Sequence, residues 1–156
     1  MIEKFKKVMH EGMIANFEED GFLTPVMFFI KNGQPVVSQI PNEMLKTSEK
    51  KAELSSIIKS ICTDPMVTFA GIVLEAYGAK MGNDSELSKL VVEGNIRVSE
   101  LKEKQDIIIM IHATPEKEET VSYVVDPENK TVGEKFIDDS GAFKGIFSNF
   151  FNTRKN

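Results

Sequence analysis

The chain has 156 residues, 41% hydrophobic and 28% charged, with a formal net charge of -5 from 24 acidic and 19 basic side chains. That composition excludes wholesale disorder and suits one domain with a core of its own. A mildly acidic chain without a dense basic cluster argues against nucleic-acid binding, and a lone cysteine, Cys62, excludes an internal disulfide. The opening MIEKFKKVMHEG lacks the apolar centre of a signal peptide. No apolar run approaches the roughly 18 residues of a membrane-spanning helix. These features point to the cytoplasm, or to the host cytoplasm if the gene is viral.

Residues 2–19 form the first predicted helix. Ile2, Phe5, Val8 or Met9, Met13 and Phe17 recur at three- and four-residue spacing, with Glu3, Lys6, Lys7, His10 and Glu11 opposite. Asp20-Gly21 ends it, and Thr24-Pro25 leads into a hairpin over residues 23–40. Its turn is Asn32-Gly33, two residues that tolerate positive φ. The first strand is apolar on both sides, with Val26, Phe28 and Ile30 on one and Met27 and Phe29 on the other, so it needs cover on both faces.

Asn42 or Thr47-Ser48 caps a second helix whose stripe is Leu54, Ile57, Ile58, Ile61 and Cys62. Residues 66–79 read as a strand, with Phe69, Gly71, Val73, Glu75 and Tyr77 on one face and Ala70, Ile72, Leu74 and Ala76 on the other. This strand can lie parallel to the second hairpin strand in one sheet. Residues 80–104 are polar and glycine-punctuated, with room for a short helix from Asp84 or Ser85 to Glu93. A segment of that kind is decoration or a place for partners to bind.

Residues 106–113 form another strand apolar on both faces, expected beside the first hairpin strand at the sheet centre. Residues 120–125 and 131–137 complete a meander around the turn 126–130. A closing helix after Asp138, Asp139 and Ser140 has the stripe Phe143, Ile146, Phe147, Phe150 and Phe151. The whole is a single α+β domain over 1–151, with 152–156 a frayed tail. Five to six strands, mostly antiparallel, carry helices in the order α-β-β-α-β-(α)-β-β-β-α. This order resembles roadblock-like and profilin-like domains, with a strand and an insert beyond their layout.

Three stretches, DGFLTPVMFFIKNGQ at 20–34, VLEAYGAK at 73–80 and RVSELKEKQDIIIMI at 97–111, together resemble a set of small α+β proteins of bacterial and phage genomes. Those proteins similarly pair a "DG-x-x-x-P" strand start with a strand ending in Glu–small–aromatic. The resemblance implies a fold and no activity. The aromatic here is Tyr77, where tryptophan is more usual.

Few residue patterns carry chemistry. His112-Ala113-Thr114-Pro115, with Ser122 and Asp126, faintly resembles the signature of the JAB/MPN metalloproteases. That family has a second histidine where this chain has Thr114, and a shorter serine–aspartate spacing. Zinc catalysis needs three protein ligands, and His112 with Asp126 supplies two, leaving an acid such as Glu19 to be found. We therefore expect no metal, and His112 reads as a partly buried, hydrogen-bonded strand residue.

Glu75 is the odd residue of an apolar strand: an acid with a raised pKa if buried, or the point where the strand leaves the core. Glu75 and His112 would make a minimal acid–base pair for a small hydrolase-like enzyme if their strands are adjacent. No nucleophile elbow, phosphate loop or dinucleotide fingerprint occurs, so no cofactor is expected.

The leading expectation is a non-enzymatic protein-interaction module, a phage-encoded accessory or structural component that binds a protein partner or a second copy. The partner-binding candidates are Phe143, Ile146, Phe147, Phe150 and Phe151, whose alternative is a core helix. Their flanking cations Lys144, Arg154 and Lys155 are too few for a membrane-surface helix. The alternatives are the Glu75–His112 enzyme and a small-ligand sensor.

Overall fold

A computed structural model describes residues 1–78, 105–138 and 147–151. The elements are α1 (Ile2–Asp20), β1 (Val26–Lys31), β2 (Gln34–Gln39), a 3-10 turn at Asn42–Leu45, α2 (Ser48–Ile61), β3 (Val67–Gly78), β4 (Gln105–Ala113), β5 (Glu118–Asp126) and β6 (Thr131–Asp138). The six strands form one open sheet in the order β2-β1-β3-β4-β5-β6, and every adjacent pair is antiparallel. Helices and strands mix as an α+β domain requires. No helix among the described residues is long and apolar enough to cross a membrane.

Local chemistry sets most element boundaries. Gly21 ends α1 at φ 76, its N–H donating to the Phe17 carbonyl at 2.8 Å, a left-handed cap that suits glycine. Asn32 and Gly33 at φ 51 and 75 make the tight turn that joins β1 to β2. Thr47 caps α2, its side chain accepting from the Lys50 N–H at 3.1 Å, while Asn42 opens the 3-10 turn instead. Pro35 lies on the outer strand β2, where a missing donor costs no ladder bond.

The sheet is covered on both faces, as the two-sided apolarity of β1 demands. Under α1, Phe5, Met13 and Phe17 pack on Phe28, Ile30, Phe69, Ile108 and Met110. Phe5 meets Phe28 and Phe69 edge-on at centroid distances of 5.8 and 5.9 Å. The opposite face carries Leu54 and Ile58 of α2, with Cys62 just after it, against Phe29, Ala70, Ile72 and Ile111. Each fully buried phenylalanine contributes about 1.5–3 kcal/mol. Ile57, expected on the buried stripe of α2, is 44% exposed.

Two expectations about the arrangement are corrected. β1 and β4 are not neighbours: β3 runs between them and pairs with both. A strand crossing the sheet centre is itself apolar on both faces, so β3 competes for that place on equal terms. β2 and β3 lie parallel in one sheet as expected, on either side of β1.

The closing stripe is also different. Residues 147–151 form bends and turns, with Asn149 at φ 58, and Phe147, Phe150 and Phe151 are buried in the α2-side core. The Asn149 N–H donates to Glu118 Oε2 at 2.8 Å, which pins this segment to the start of β5. These three phenylalanines are therefore core side chains and present no free docking face. Phe143, Ile146, the remainder of the predicted helix and the predicted helix near 84–93 lie outside the described residues.

Gly71 is the tightest point of the sheet. It lies opposite Phe28 on β1 and His112 on β4. A Cβ there would collide with the Phe28 ring and stand 2.8 Å from the Ile111 carbonyl oxygen. Gly71→Ala is expected to cost about 1–3 kcal/mol by overpacking, read from urea denaturation midpoints. Phe150→Ala is expected to cost about 3–5 kcal/mol in the same assay; an unchanged midpoint would contradict its place in the core.

Candidate functional site

The register of β3 on β4 decides the fate of the proposed acid–base pair. The two strands are adjacent and both side chains belong to the α1 face, yet Glu75 lies opposite Ile108 while His112 lies opposite Gly71. Four residues of strand rise separate them by roughly 13 Å. Glu75 and His112 therefore do not form one site.

Glu75 stands at the exposed end of its strand. Its Oε1 accepts the Leu23 N–H at 2.9 Å, tying the loop after α1 to β3. Partial burial raises its pKa, the Leu23 hydrogen bond opposes that shift, and the neighbouring Asp106 carboxylate adds to it. One oxygen of the carboxylate thus serves as a loop anchor. The metalloprotease constellation is likewise dispersed. Asp126 lies seven residues along β5 from Glu119, the residue opposite His112, so it is roughly 23 Å away. Ser122 belongs to the opposite, α2-side face, since it alternates with the α1-facing Val121 and Tyr123. Among the described residues no group of three potential metal ligands occurs.

What the structure does assemble is a row of rings under α1. The His112 ring lies 5.7 Å from Phe69 and 6.1 Å from His10, and His10 lies 6.0 Å from Tyr123. His10 Nδ1 and the Tyr123 hydroxyl are 2.9 Å apart, a hydrogen bond whichever of the two donates. Helical spacing placed His10 on the polar side of α1. It instead sits at the margin of the stripe, half-buried against β5. Its partner Tyr123 alternates with Val121 and Val125 on an apolar strand face, and nothing in the sequence joins residues 113 positions apart.

His112 is 3% exposed, more deeply buried than its place near a strand end suggested. Glu119 Oε1 lies 3.4 Å from its Nε2, but without hydrogen-bond geometry, so Nε2 has no partner among the described residues. Burial is the largest influence on this imidazole and pushes its pKa down to about 3, helped by the Lys6 ammonium. Glu119 would favour the imidazolium, but Lys6 and Lys117 lie 4.0 and 3.9 Å from its oxygens and share its charge. Burial therefore prevails, and the ring is neutral at pH 7. His10 is also lowered, by burial first and then by Lys135 and Lys6.

Two concave surfaces flank this row. A recess of about 110 Å³ opens between the first turns of α1 and the β4–β5 connection, lined by Lys6, Phe69, His112, Thr114, Lys117 and Glu119. A larger groove of about 430 Å³ runs between α1 and the β2 edge, lined mostly by apolar side chains that include Val8, Met9, Met13, Val26, Val37 and Val73. Val8 and Val37 are more than half exposed, at 56% and 52%. No protein-family model, curated protein or solved structure was found to match this chain.

The histidines predict a signed pH dependence. The folded pKa of His112 lies below its unfolded value of 6.5, so the unfolded chain gains protons first as pH falls. The neutral ring's contribution is intact above pH 6.5 and drains away toward pH 3, with about 2 kcal/mol lost by pH 5. Urea denaturation at pH 7 and pH 5 should show that loss in the wild type and a smaller one in His112→Phe. An equal loss in both would place the proton uptake elsewhere.

Proposed function

We propose that this chain is a non-enzymatic protein-interaction module that takes an extended apolar segment of a partner protein along the β2 edge. The groove beside β2 carries this reading. Among the described residues β2 pairs on one side alone, with β1. Its successive residues Val36 and Val37 are 46% and 52% exposed. Val37 lines the apolar groove shared with Val8 and Met9 of α1.

A strand added to an open edge obtains backbone hydrogen bonds from the edge and side-chain specificity from a groove on one face. Alternate side chains of such a segment would enter the groove while the others face solvent or the α2 side. Pro35 offers no N–H, so pairing would concentrate on the β2 half that follows it. Exposed apolar surface beside an unpaired edge is a liability that a natural partner removes. The partner is a protein segment of alternating apolar pattern, and a second copy of this chain, paired β2 to β2, is one source of it.

Val37→Lys tests the reading, because a charge facing the groove opposes strand addition while an exposed site tolerates it. Binding of a fluorescent panel of alternating apolar peptides, or self-association by sedimentation, is expected to weaken by roughly tenfold or more, with the thermal midpoint unchanged. A wild type that stays monomeric and binds no peptide of the panel would remove the proposal.

A further inference from the structure

Resting on the reading of the β2 edge as a docking surface, the backbone of that edge narrows the partner further. In an antiparallel ladder, successive residues of a strand aim their N–H and C=O groups at opposite neighbours. The tight turn closes on the Lys31–Gln34 pair, and beyond the other end of β2 the Ile40 N–H donates to the Pro25 carbonyl at 2.9 Å. Gln34, Val36 and Ser38 therefore turn their backbone groups towards β1, and Pro35, Val37 and Gln39 turn theirs outward. Val37 is the middle of the outward set.

We infer that the partner at this edge is a second copy of the chain, joined β2 to β2 about a dyad at Val37 into one continuous sheet. Turned about an axis perpendicular to the sheet, the second copy lies antiparallel, with the two Val37 residues opposite each other. They exchange both N–H···O=C bonds, and at each end Gln39 donates to the other copy's Pro35 carbonyl. The missing proline donor then falls at the ends of the ladder, where water reaches the Gln39 carbonyl. Val37 shares its sheet face with Phe28 and lines the groove that Val8 borders, so each Val37 meets the mouth of the other copy's groove. Val36, 46% exposed on the opposite face, comes to lie across from the second copy's Ser38.

Charge fits the same dyad. No charged residue occurs between Gln34 and Asn42, so like charges do not meet along the seam. Lys4 and Glu19 share the exposed stripe of Val8 by helical spacing, Lys4 near the start of α1 and Glu19 near its end. The dyad reverses the second copy's helix, which turns the basic end of each α1 towards the acidic end of the other. At a net charge of -5 two copies repel overall, and this arrangement opposes that repulsion.

The test uses the full chain in sedimentation and in amide hydrogen exchange read by NMR. Dimers should form, and exchange of the Val37 and Gln39 N–H groups should slow as protein concentration rises, while Val36 and Ser38 stay protected throughout. Val37→Lys and Val37→Glu should each weaken association roughly tenfold or more, because like charges then meet on the dyad. An equimolar mixture of the two variants should recover it, since opposite charges meet only where residue 37 faces residue 37. An unchanged amide spectrum outside β2 shows that each variant is folded. A wild type that stays monomeric at about 1 mM yet binds a peptide at this edge would overturn the inference and leave the docking reading standing. A monomer that binds no peptide would remove both. A dimer with Val37 and Gln39 unprotected, or a mixture that does not recover, would place the interface elsewhere and overturn the inference too.

Discussion

The close approach of β1 to β3 at Gly71 is the contact on which the α1 face depends. Because that position has no side chain, the Phe28 ring lies over the β3 backbone, where any Cβ would collide with it. Phe69 then stands between Phe28 at 5.8 Å and His112 at 5.7 Å, tilted by 33° to each. Phe5 closes the row from α1. Tight aromatic packing of this kind gains dispersion energy across the whole row and fixes where α1 can sit. A bulkier residue at 71 would lift Phe28, and with it the helix that roofs both concave surfaces.

Helix α1 is a shared wall. Its first turns bound the recess over His112, its middle carries His10 to Tyr123, and Val8, Met9 and Met13 border the groove along β2. Its far end is tied down separately: Lys130 Nζ donates to the Glu19 carbonyl at 3.3 Å, a cation at a helix C-terminus where the dipole favours it. The Leu23–Glu75 hydrogen bond fixes the loop that follows. The C-terminal end of α1 is thus tied down twice, and its histidine side is the part that titrates. Protonating either imidazole would add positive charge beside Lys6, so the α1–sheet contact weakens in acid.

Much of the architecture could be read from the chain, and the reasons are local. Asn32-Gly33, Gly21 and Thr47 act within a few residues of themselves, so turn, cap and helix start were legible without tertiary information. The apolarity of both faces of β1 and β4 called correctly for cover above and below the sheet. It did not rank the strands, and β3 took the place between them. The phenylalanine stripe after residue 143 has helical spacing, yet Phe147, Phe150 and Phe151 reach the core from bends and turns. Spacing alone cannot separate a helix face from an irregular segment that turns its side chains to one side.

The site was less legible than the fold. His112 stood out because the chain has only two histidines, but its neighbours are set by strand register. A slip of β4 against β5 would give it another partner than Glu119. By itself, then, the sequence determined an α+β chain with a two-faced sheet, a tight hairpin and a histidine set in an apolar strand, because periodicity, turn chemistry and composition are properties of neighbouring residues. Only the tertiary structure decided that Glu75 and His112 stand apart, that His10, Glu119 and Lys6 gather near His112 while Tyr123 holds the other side of His10, and that the β2 edge lies beside an apolar groove. Those juxtapositions come from register and helix docking, which join residues more than a hundred positions apart and leave no trace in local pattern.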